Sequence, residues 1–402
     1  MKSRWEIKKL GEVLSIERGG SPRPIKKYLT NSSDGINWIK ISDATASEKY
    51  IYETKGKITR DGLHKTRVVN EGDFILSNSM SFGRPYIMKT TGCIHDGWLV
   101  LKQNGKKLFE TEFLYYLLSS PYVFQQFNYL AAGSTVRNLN IALVSSVQVP
   151  LPPIPEQKHI VKILDEAFAA IDKAKANAEK NLQNSRELFD SYLNKVFANP
   201  GEDWEEKKLG EVCLLKSGTT ISKRIEKSAG EILYAKVADM NLKGNEISIN
   251  NSARFANLCD IKKNQIIPIG AVIFPKRGGA IFTNKKRKIV KPTIVDLNTM
   301  AIIPTPKINE NFLYYWFSKI DLSKLNTGSS IPQINNYSFD DVKISFPKSV
   351  TSQKKIVAVL DRLFTETQKL KSIYQQKLAD LEELKKSILQ KAFEGQLTRN
   401  NG

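Results

Sequence analysis

Cysteine, histidine and long apolar runs are all scarce in this chain of 402 residues, and each scarcity removes a class of protein. The three cysteines, Cys93, Cys213 and Cys259, stand at no metal-ligand spacing and cannot all pair, so reduced, partly buried thiols are expected. The three histidines, His64, His95 and His159, have no second ligand at a recognised distance in the chain. His159 opens a long helical stretch, outside its apolar stripe, and reads as a solvated helix face. No apolar run reaches the roughly 18 residues of a membrane helix. The opening Met-Lys-Ser-Arg-Trp carries no apolar signal segment, so a cytoplasmic protein is expected. Nucleotide motifs are missing too. There is no Gly-x-x-x-x-Gly-Lys-Ser/Thr, and no Gly-x-Gly-x-x-Gly follows a strand. No Asn-Pro-Pro-Tyr-like tetrapeptide, which amino-methyltransferases use to grip a flipped base, occurs. A nuclease site built from scattered carboxylates and lysines leaves a weaker signal, but acidic residues are sparse where the chain is most basic. Neither a catalytic constellation nor a bound metal or cofactor is expected.

Negative charge is also in deficit. With 61 Lys and Arg against 41 Asp and Glu, the formal net charge is +20. The excess is unevenly placed: +8 over residues 1–155, zero over 156–199, +8 over 200–350 and +4 over 351–402. Two basic segments therefore flank a neutral one. Such surfaces favour a polyanion, of which nucleic acid is the usual one; the alternative is a lysine-rich solvated coat.

What is present is a duplication. Trp5-Glu-Ile-Lys-Lys-Leu-Gly-Glu-Val returns as Trp204-Glu-Glu-Lys-Lys-Leu-Gly-Glu-Val, an offset of 199 residues, and Phe113-Leu-Tyr-Tyr returns at Phe312 with the same offset. Ala132-Gly-Ser-Thr and Asn138-Leu-Asn return at Thr327 and Gln333, an offset of 195. An offset drifting by a few residues over half the chain marks a tandem repeat of a large unit rather than a short solenoid repeat.

Each copy closes on a helical stretch, 156–198 and 352–394. In the first, apolar or small residues fall at Ile160, Leu164, Ala167, Ile171, Ala174, Ala178, Leu182, Ser185, Phe189, Tyr192 and Val196. The steps alternate three and four, with one four-four slip, which is a heptad seam containing a stutter. In the second, at an offset of 196, the seam reads Ile356, Leu360, Leu363, Thr367, Leu370, Tyr374, Leu378, Leu381, Lys385, Ile388 and Ala392, interrupted only by Thr367 and Lys385. Each helix would be about 65 Å long. The stripe is too narrow for a globular core and suits a partner helix, of which the simplest is the other copy. Leu164, Ile171, Leu182 and Phe189 are expected to pair with the set Leu360, Leu370, Leu378 and Ile388.

The segments between are read as short strands with one helix. Val13–Ile16, Trp38–Ile41 and Gly72–Ser77 correspond to Val212–Leu215, Leu233–Val237 and Gly270–Pro275, and helices are expected at Glu112–Ser119 and Asn311–Ser318. Pro152, Pro153 and Pro155 are expected to bar helix before 156. The fold class is α+β. Residues 1–155 and 200–351 form two globules, each followed by a long helix at 156–199 and 352–402.

Three basic or glycine-containing loops recur at equivalent places. In the first copy they offer Arg18, Ser21, Arg23, Lys26 and Lys27; Ser77, Asn78, Ser79 and Arg84; and Ser134, Arg137 and Asn138. In the second they offer Lys216, Thr219, Thr220, Lys223 and Arg224; Lys276 and Arg277; and Ser329 and Gln333. The run Lys285, Lys286, Arg287 has no counterpart in the first copy and suits phosphate contact better than base reading. Loops of this kind bring N–H groups and hydroxyls to phosphates and Arg, Lys, Asn or Gln side chains to base edges. The alternative is that the glycines only make turns and the charges are solvated.

The two globules, each with a helix after it, resemble the specificity subunit of type I restriction–modification systems. The resemblance spans the whole chain. It is carried by Leu151-Pro-Pro-Ile-Pro-Glu-Gln157, by Ile160-Val161 with Leu164-Asp165, by the opening at Trp204, and by Lys391-Ala-Phe-Glu-Gly-Gln-Leu397. The second proline motif departs: Phe346-Pro-Lys-Ser-Val-Thr-Ser-Gln353 keeps one proline and the glutamine. The resemblance implies two target recognition domains, each reading half of a split duplex target, on an antiparallel helix pair that spaces them. It implies double-stranded DNA, two methyltransferase subunits and motor–nuclease restriction subunits as partners. S-adenosylmethionine, ATP and Mg²⁺ would belong to those partners, and none to this non-catalytic chain. Two other readings stay open: a DNA-binding coiled-coil adaptor, and a diverged nuclease or modification enzyme.

Overall fold

The computed structural model describes residues 5–78, 82–103, 105, 107–132, 138–328 and 330–397. The chain forms two compact units, Met1–Glu179 with Gln375–Gly402, and Lys180–Tyr374. The division passes through both long helices, Ile154–Ala198 and Val350–Phe393, so each unit holds half of each helix. Both helices start two residues earlier than the sequence reading placed them. Pro155 does not bar the first turn, because a proline there gives up only an N–H that has no partner inside the helix.

The repeated Trp-Glu-x-Lys-Lys-Leu-Gly-Glu-Val has one structural meaning in both units. In the first, Glu6–Lys9 pairs antiparallel with Gln148–Leu151, clasping the start of the unit to the segment before the long helix. In the second, Trp204–Lys208 pairs in the same way with Lys343–Pro347. The next four residues form a helical turn, Leu10–Val13 or Leu209–Val212. Its glutamate accepts from the backbone N–H three residues back, Lys9 to Glu12 at 3.2 Å and Lys208 to Glu211 at 3.2 Å. The opening strands therefore begin later than expected, at Ser15 and Cys213.

The first unit has a five-stranded sheet in the order Ser15–Arg18, Trp98–Lys102, Phe74–Ser77, Pro85–Met88, Tyr50–Ile51. The second unit repeats the order with Cys213–Ser217, Thr299–Pro304, Val272–Pro275, Arg287–Ile289 and Ser248–Ile249. Only the last pair is parallel in each sheet. The turn into the third strand places Gly72 and Gly270 at the same φ of +89°, where a side chain would be strained. A second sheet of five strands in the first unit, and of three in the second, has Ile36–Ile39 or Ile232–Ala235 at its centre. The chain is thus α+β, with mixed sheets in both units.

In the first unit one core joins the first sheet, the helix Thr111–Leu118, the start of the central helix (Ile160, Leu164, Phe168) and the end of the C-terminal helix (Leu389, Ala392, Phe393). In the second unit the other ends meet: Leu193 and Phe197 share a core with Val357, Leu360 and the helix Glu310–Ser318. Start lies against end in one unit and end against start in the other, so the helices pair antiparallel. Leu164, Ile171 and Leu360 are buried, and Leu182, Phe189, Leu378 and Ile388 are half-buried. Leu370 departs from the expected seam: it is 36% exposed, and Lys371 is the half-buried residue beside it. The stripe steps by four from Thr367, as a straight helix of 3.6 residues per turn requires when a 3.5 repeat drifts off its face. Thr367 is itself buried, its hydroxyl donating to Phe364 O at 2.8 Å. Lys385 sets its ammonium 4.9 Å from the centre of the Phe168 ring and 3.7 Å from Asp172.

The helix entries match despite the missing prolines. Gln157 accepts from Glu110 N–H at 2.7 Å and donates to Leu108 O at 2.9 Å and Pro152 O at 2.8 Å. Gln353 accepts from Asn309 N–H at 2.7 Å and donates to Lys307 O at 2.9 Å and Pro347 O at 3.0 Å. One buried amide thus locks each long helix to the N-cap of Thr111–Leu118 or of Glu310–Ser318. Two tyrosines repeat the match about two turns further on, Tyr116 to Asp165 and Tyr315 to Asp361, both at 2.5 Å.

Candidate nucleic-acid interface

In the first unit the loop 18–27 is fastened to a tight turn at His95–Gly97. Gly19 N–H donates to Trp98 O at 2.9 Å and Gly20 N–H to Ile94 O at 3.1 Å. A Cβ on Gly19 would lie 2.1 Å from the His95 carbonyl oxygen, so only glycine allows the approach. The loop 77–84 meets the same turn through Asn78 N–H to Gly97 O at 3.1 Å. The third loop joins through Leu139 N–H to Asn78 O at 2.8 Å.

The second unit repeats this backbone scheme. Gly218 N–H donates to Thr299 O and Thr219 N–H to Val295 O, both at 2.9 Å. Lys276 N–H donates to Asn298 O, and Ile334 N–H to Lys276 O, both at 2.8 Å. The first loop and the described ends of the second and third therefore meet at one place in each unit. A fourth piece joins them, His95–Gly97 or Asp296–Asn298, which the sequence reading passed over. In the first unit its signal was the Asp96-Gly97 step between two apolar runs, a turn mark that Asp296-Leu297-Asn298 does not share.

Asp96 is the hub of the first set. Its carbonyl accepts from Arg18 Nε at 3.1 Å and from Asn78 Nδ2 at 2.8 Å. Its carboxylate accepts from the Ser21 hydroxyl at 2.8 Å, with Arg23 at 3.7 Å. The Ser21 hydrogen bond, aided by the nearby His95 and Arg23, holds the Asp96 carboxyl below the usual range. Arg18, Arg23, Lys26, Lys27 and Asn138 are exposed. Arg84 is exposed too, its guanidinium 5.2 Å from the Tyr86 ring centre.

In the second set Thr220, Lys223, Arg224 and Arg277 are exposed, and Lys216, Thr219, Lys276, Lys285 and Gln333 are half-buried. Lys216 donates to Ile266 O at 3.0 Å and Lys276 to the Ser217 hydroxyl at 2.9 Å. Gln333 bridges backbone to Arg277 and donates from its side chain to Asn335 at 2.8 Å. Lys285 bonds Asn241.

Some residues offered to DNA by the sequence reading are used inside the protein. Ser77 and Asn78 are 0% and 2% exposed and hold the loop shape. Lys286 is 5% exposed and donates to Ile320 O at 2.5 Å and Asn284 Oδ1 at 2.7 Å. Burial pushes its pKa down to about 8. Arg287 spends its guanidinium on Met240 O at 2.9 Å and Lys286 O at 2.8 Å. The strand register sets the basic run at the place of Arg84-Pro85-Tyr86, of which only Arg84 is basic. Ile273 pairs with Arg287 as Ile75 pairs with Tyr86, so Lys285 stands where Arg84 stands. Ser79, Ser134, Arg137 and Ser329 lie outside the described residues. Among the described residues no cluster of His, Cys, Asp and Glu is fit to hold a metal, and no helix is long and apolar enough to cross a membrane.

Two repeated units with loop clusters of this kind, joined by long paired helices, define a class of recognition protein. The chain belongs to the family described as type I restriction modification DNA specificity domain, which matches residues 2–181 and 201–379. It is a specificity subunit of the type I restriction–modification kind, a recognition chain and not an enzyme. It is 24% identical over 377 residues to the type I restriction enzyme MjaIX specificity subunit of Methanocaldococcus jannaschii, covering 87% of this chain and 84% of that one. To the MjaVIII specificity subunit of the same organism it is 24% identical, covering 99% and 94%. Its fold matches a chain from a structural study of complex assembly and conformational transition of the type I R-M system, with a TM-score of 0.80 at 20% identity and 98% coverage of both. It also matches the HsdS subunit from Thermoanaerobacter tengcongensis, with a TM-score of 0.66 at 20% identity, covering 98% and 97%.

Proposed function

We propose that each unit reads one half of a bipartite duplex target through its three converging loops and the fourth turn. The observation that carries this is the repetition of one backbone scheme with different side chains: Arg18, Arg23 and Arg84 in the first unit against Lys223, Arg224 and Arg277 in the second. Equal frames with unequal side chains specify unequal half-sites, so the target is asymmetric. The exposed cations contact phosphates and set the salt dependence, while neighbouring polar groups reach base edges in the major groove. The long helices, continuous from one unit into the other, set the number of unread base pairs between half-sites. Their outer faces carry two methyltransferase subunits, which the motor–nuclease subunits join. S-adenosylmethionine, ATP and Mg²⁺ are bound by those partners in the cytoplasm, and this chain holds none of them.

Sequencing of adenine methylation in cells with and without this gene tests the reading. The expected result is one gene-dependent motif of two unlike halves separated by a fixed gap. A continuous or palindromic motif, or methylation or cleavage by the purified chain alone, refutes it.

A further inference from the structure

The first unit carries a cleft of about 580 Å³ lined by Ser21, Pro22, Arg23, Lys26, Trp38 and His95, beside the loop cluster. His95 sits 6.0 Å from the Trp38 ring centre and 6.1 Å from that of Trp98. Its Nδ1 accepts a hydrogen bond from Gly97 N–H at 2.9 Å. That bond assigns the ring proton to Nε2, because a nitrogen that accepts from an amide cannot also carry a proton. Burial between the two indoles lowers the His95 pKa, outweighing Asp96, so the ring stays neutral near pH 7. Among the described residues Nε2 has no hydrogen-bond partner, and the side chain keeps 22% of its exposure.

The other polar groups on the cleft are donors or already committed. Ser21 gives its proton to Asp96, whose second carboxylate oxygen faces Arg23, and Lys26 adds a further cation. An opening lined by N–H donors suits the base edge with two adjacent acceptors. In the major groove that edge is guanine, with N7 and O6. Adenine and cytosine each present a donor there, and thymine a methyl group.

We propose that His95 Nε2–H, oriented by Gly97 and walled by Trp38, is a base-reading donor that selects guanine in the half-site of the first unit. The inference rests on the DNA-reading role proposed above. The second unit differs at this place. Asp296 stands where His95 stands, since Gly218 packs on its carbonyl as Gly19 packs on that of His95. The Asp296 carboxylate accepts from the Thr299 hydroxyl at 2.7 Å and Asn298 Nδ2 at 3.1 Å. The second unit therefore lacks this donor and has no reason to choose guanine at the matching position.

The test uses the full-length chain and duplexes bearing its selected target. Each guanine of the target is replaced in turn by 7-deazaguanine, which lacks the N7 acceptor. For the wild type, replacement at one guanine of the first half-site should weaken binding about tenfold through loss of the contact to His95, and any response at a guanine of the second half-site should be unchanged by substitution of His95. His95→Gln keeps an N–H near the Nε2 position and should retain the sensitivity. His95→Leu and His95→Phe should bind the unmodified target about tenfold more weakly and lose the sensitivity at that guanine only. The proposal is overturned if no first-half guanine responds in the wild type, or if the apolar variants keep the full response. A wild-type chain with no preference for any selected duplex over random DNA overturns the parent reading as well, so the two failures are distinguishable.

Discussion

The lock at each helix entry makes a demanding prediction. Gln353 is fully buried and satisfies one backbone N–H and two carbonyls, at Asn309, Lys307 and Pro347. Gln353→Leu is close in volume and removes all three partners at once. A buried polar group left unmade costs about 1–3 kcal/mol, so three orphans cost about 3–6 kcal/mol after the gain from the added apolar surface. That is a large part of the roughly 5–15 kcal/mol that stabilises an ordinary domain. Gln353→Glu keeps one acceptor, loses both donated bonds and buries a charge, so it should be no milder. Urea unfolding gives the total, and peptide-resolved hydrogen exchange gives the place. Protection of Glu310–Ser318 and of the first turns from Val350 should fall by about a thousandfold, while Thr111–Leu118 in the other unit stays protected. Gln157→Leu should reverse the pattern. A change below about 1 kcal/mol with unaltered exchange would refute the view that this amide holds the helix to its unit.

Three further outcomes follow from the same geometry. Leu360→Asp places a charge at a fully buried seam position and should cost about 3–5 kcal/mol, read as a fall in thermal midpoint and loss of target binding with the loops intact. Gly218→Ala sets a Cβ 2.0 Å from the Asp296 carbonyl and should destabilise the second unit and its half-site preference, whereas Gly210→Ala, with open space around it, should not. Lys286 has a folded pKa of about 8 against an ordinary value of 10.5, so between those values the unfolded chain binds the extra proton. Stability should therefore rise with pH across that window by at most about 3 kcal/mol, and Lys286→Met should abolish the rise in pH-dependent denaturation.

Much of the frame was legible because repeated sequence carries repeated geometry. Glu12 and Glu211 close the same turn, Gly72 and Gly270 share one φ, and Gln157 and Gln353 make the same three bonds. The glycine loops also lay at matching places, and the meeting of the first two follows from strand order. Side-chain fate was less legible. Asn78 and Lys286 look like DNA ligands by type and by neighbourhood, yet a carbonyl close at hand claims each of them. His95 has no metal partner at a ligand spacing in the sequence, and only the Gly97 N–H on its other ring nitrogen defines it as a donor.

By itself, the sequence determined the duplication, the two long helices, the absence of any motif for catalysis and the basic character of the lobes. These are properties of periodicity and composition, written in neighbouring residues. Only the tertiary structure decided that each helix is divided between two cores, that the seam steps past Leu370, and which polar groups in the loops remain free. Such outcomes depend on which carbonyls and rings distant segments bring within hydrogen-bonding reach, and no local pattern in the chain encodes that distance.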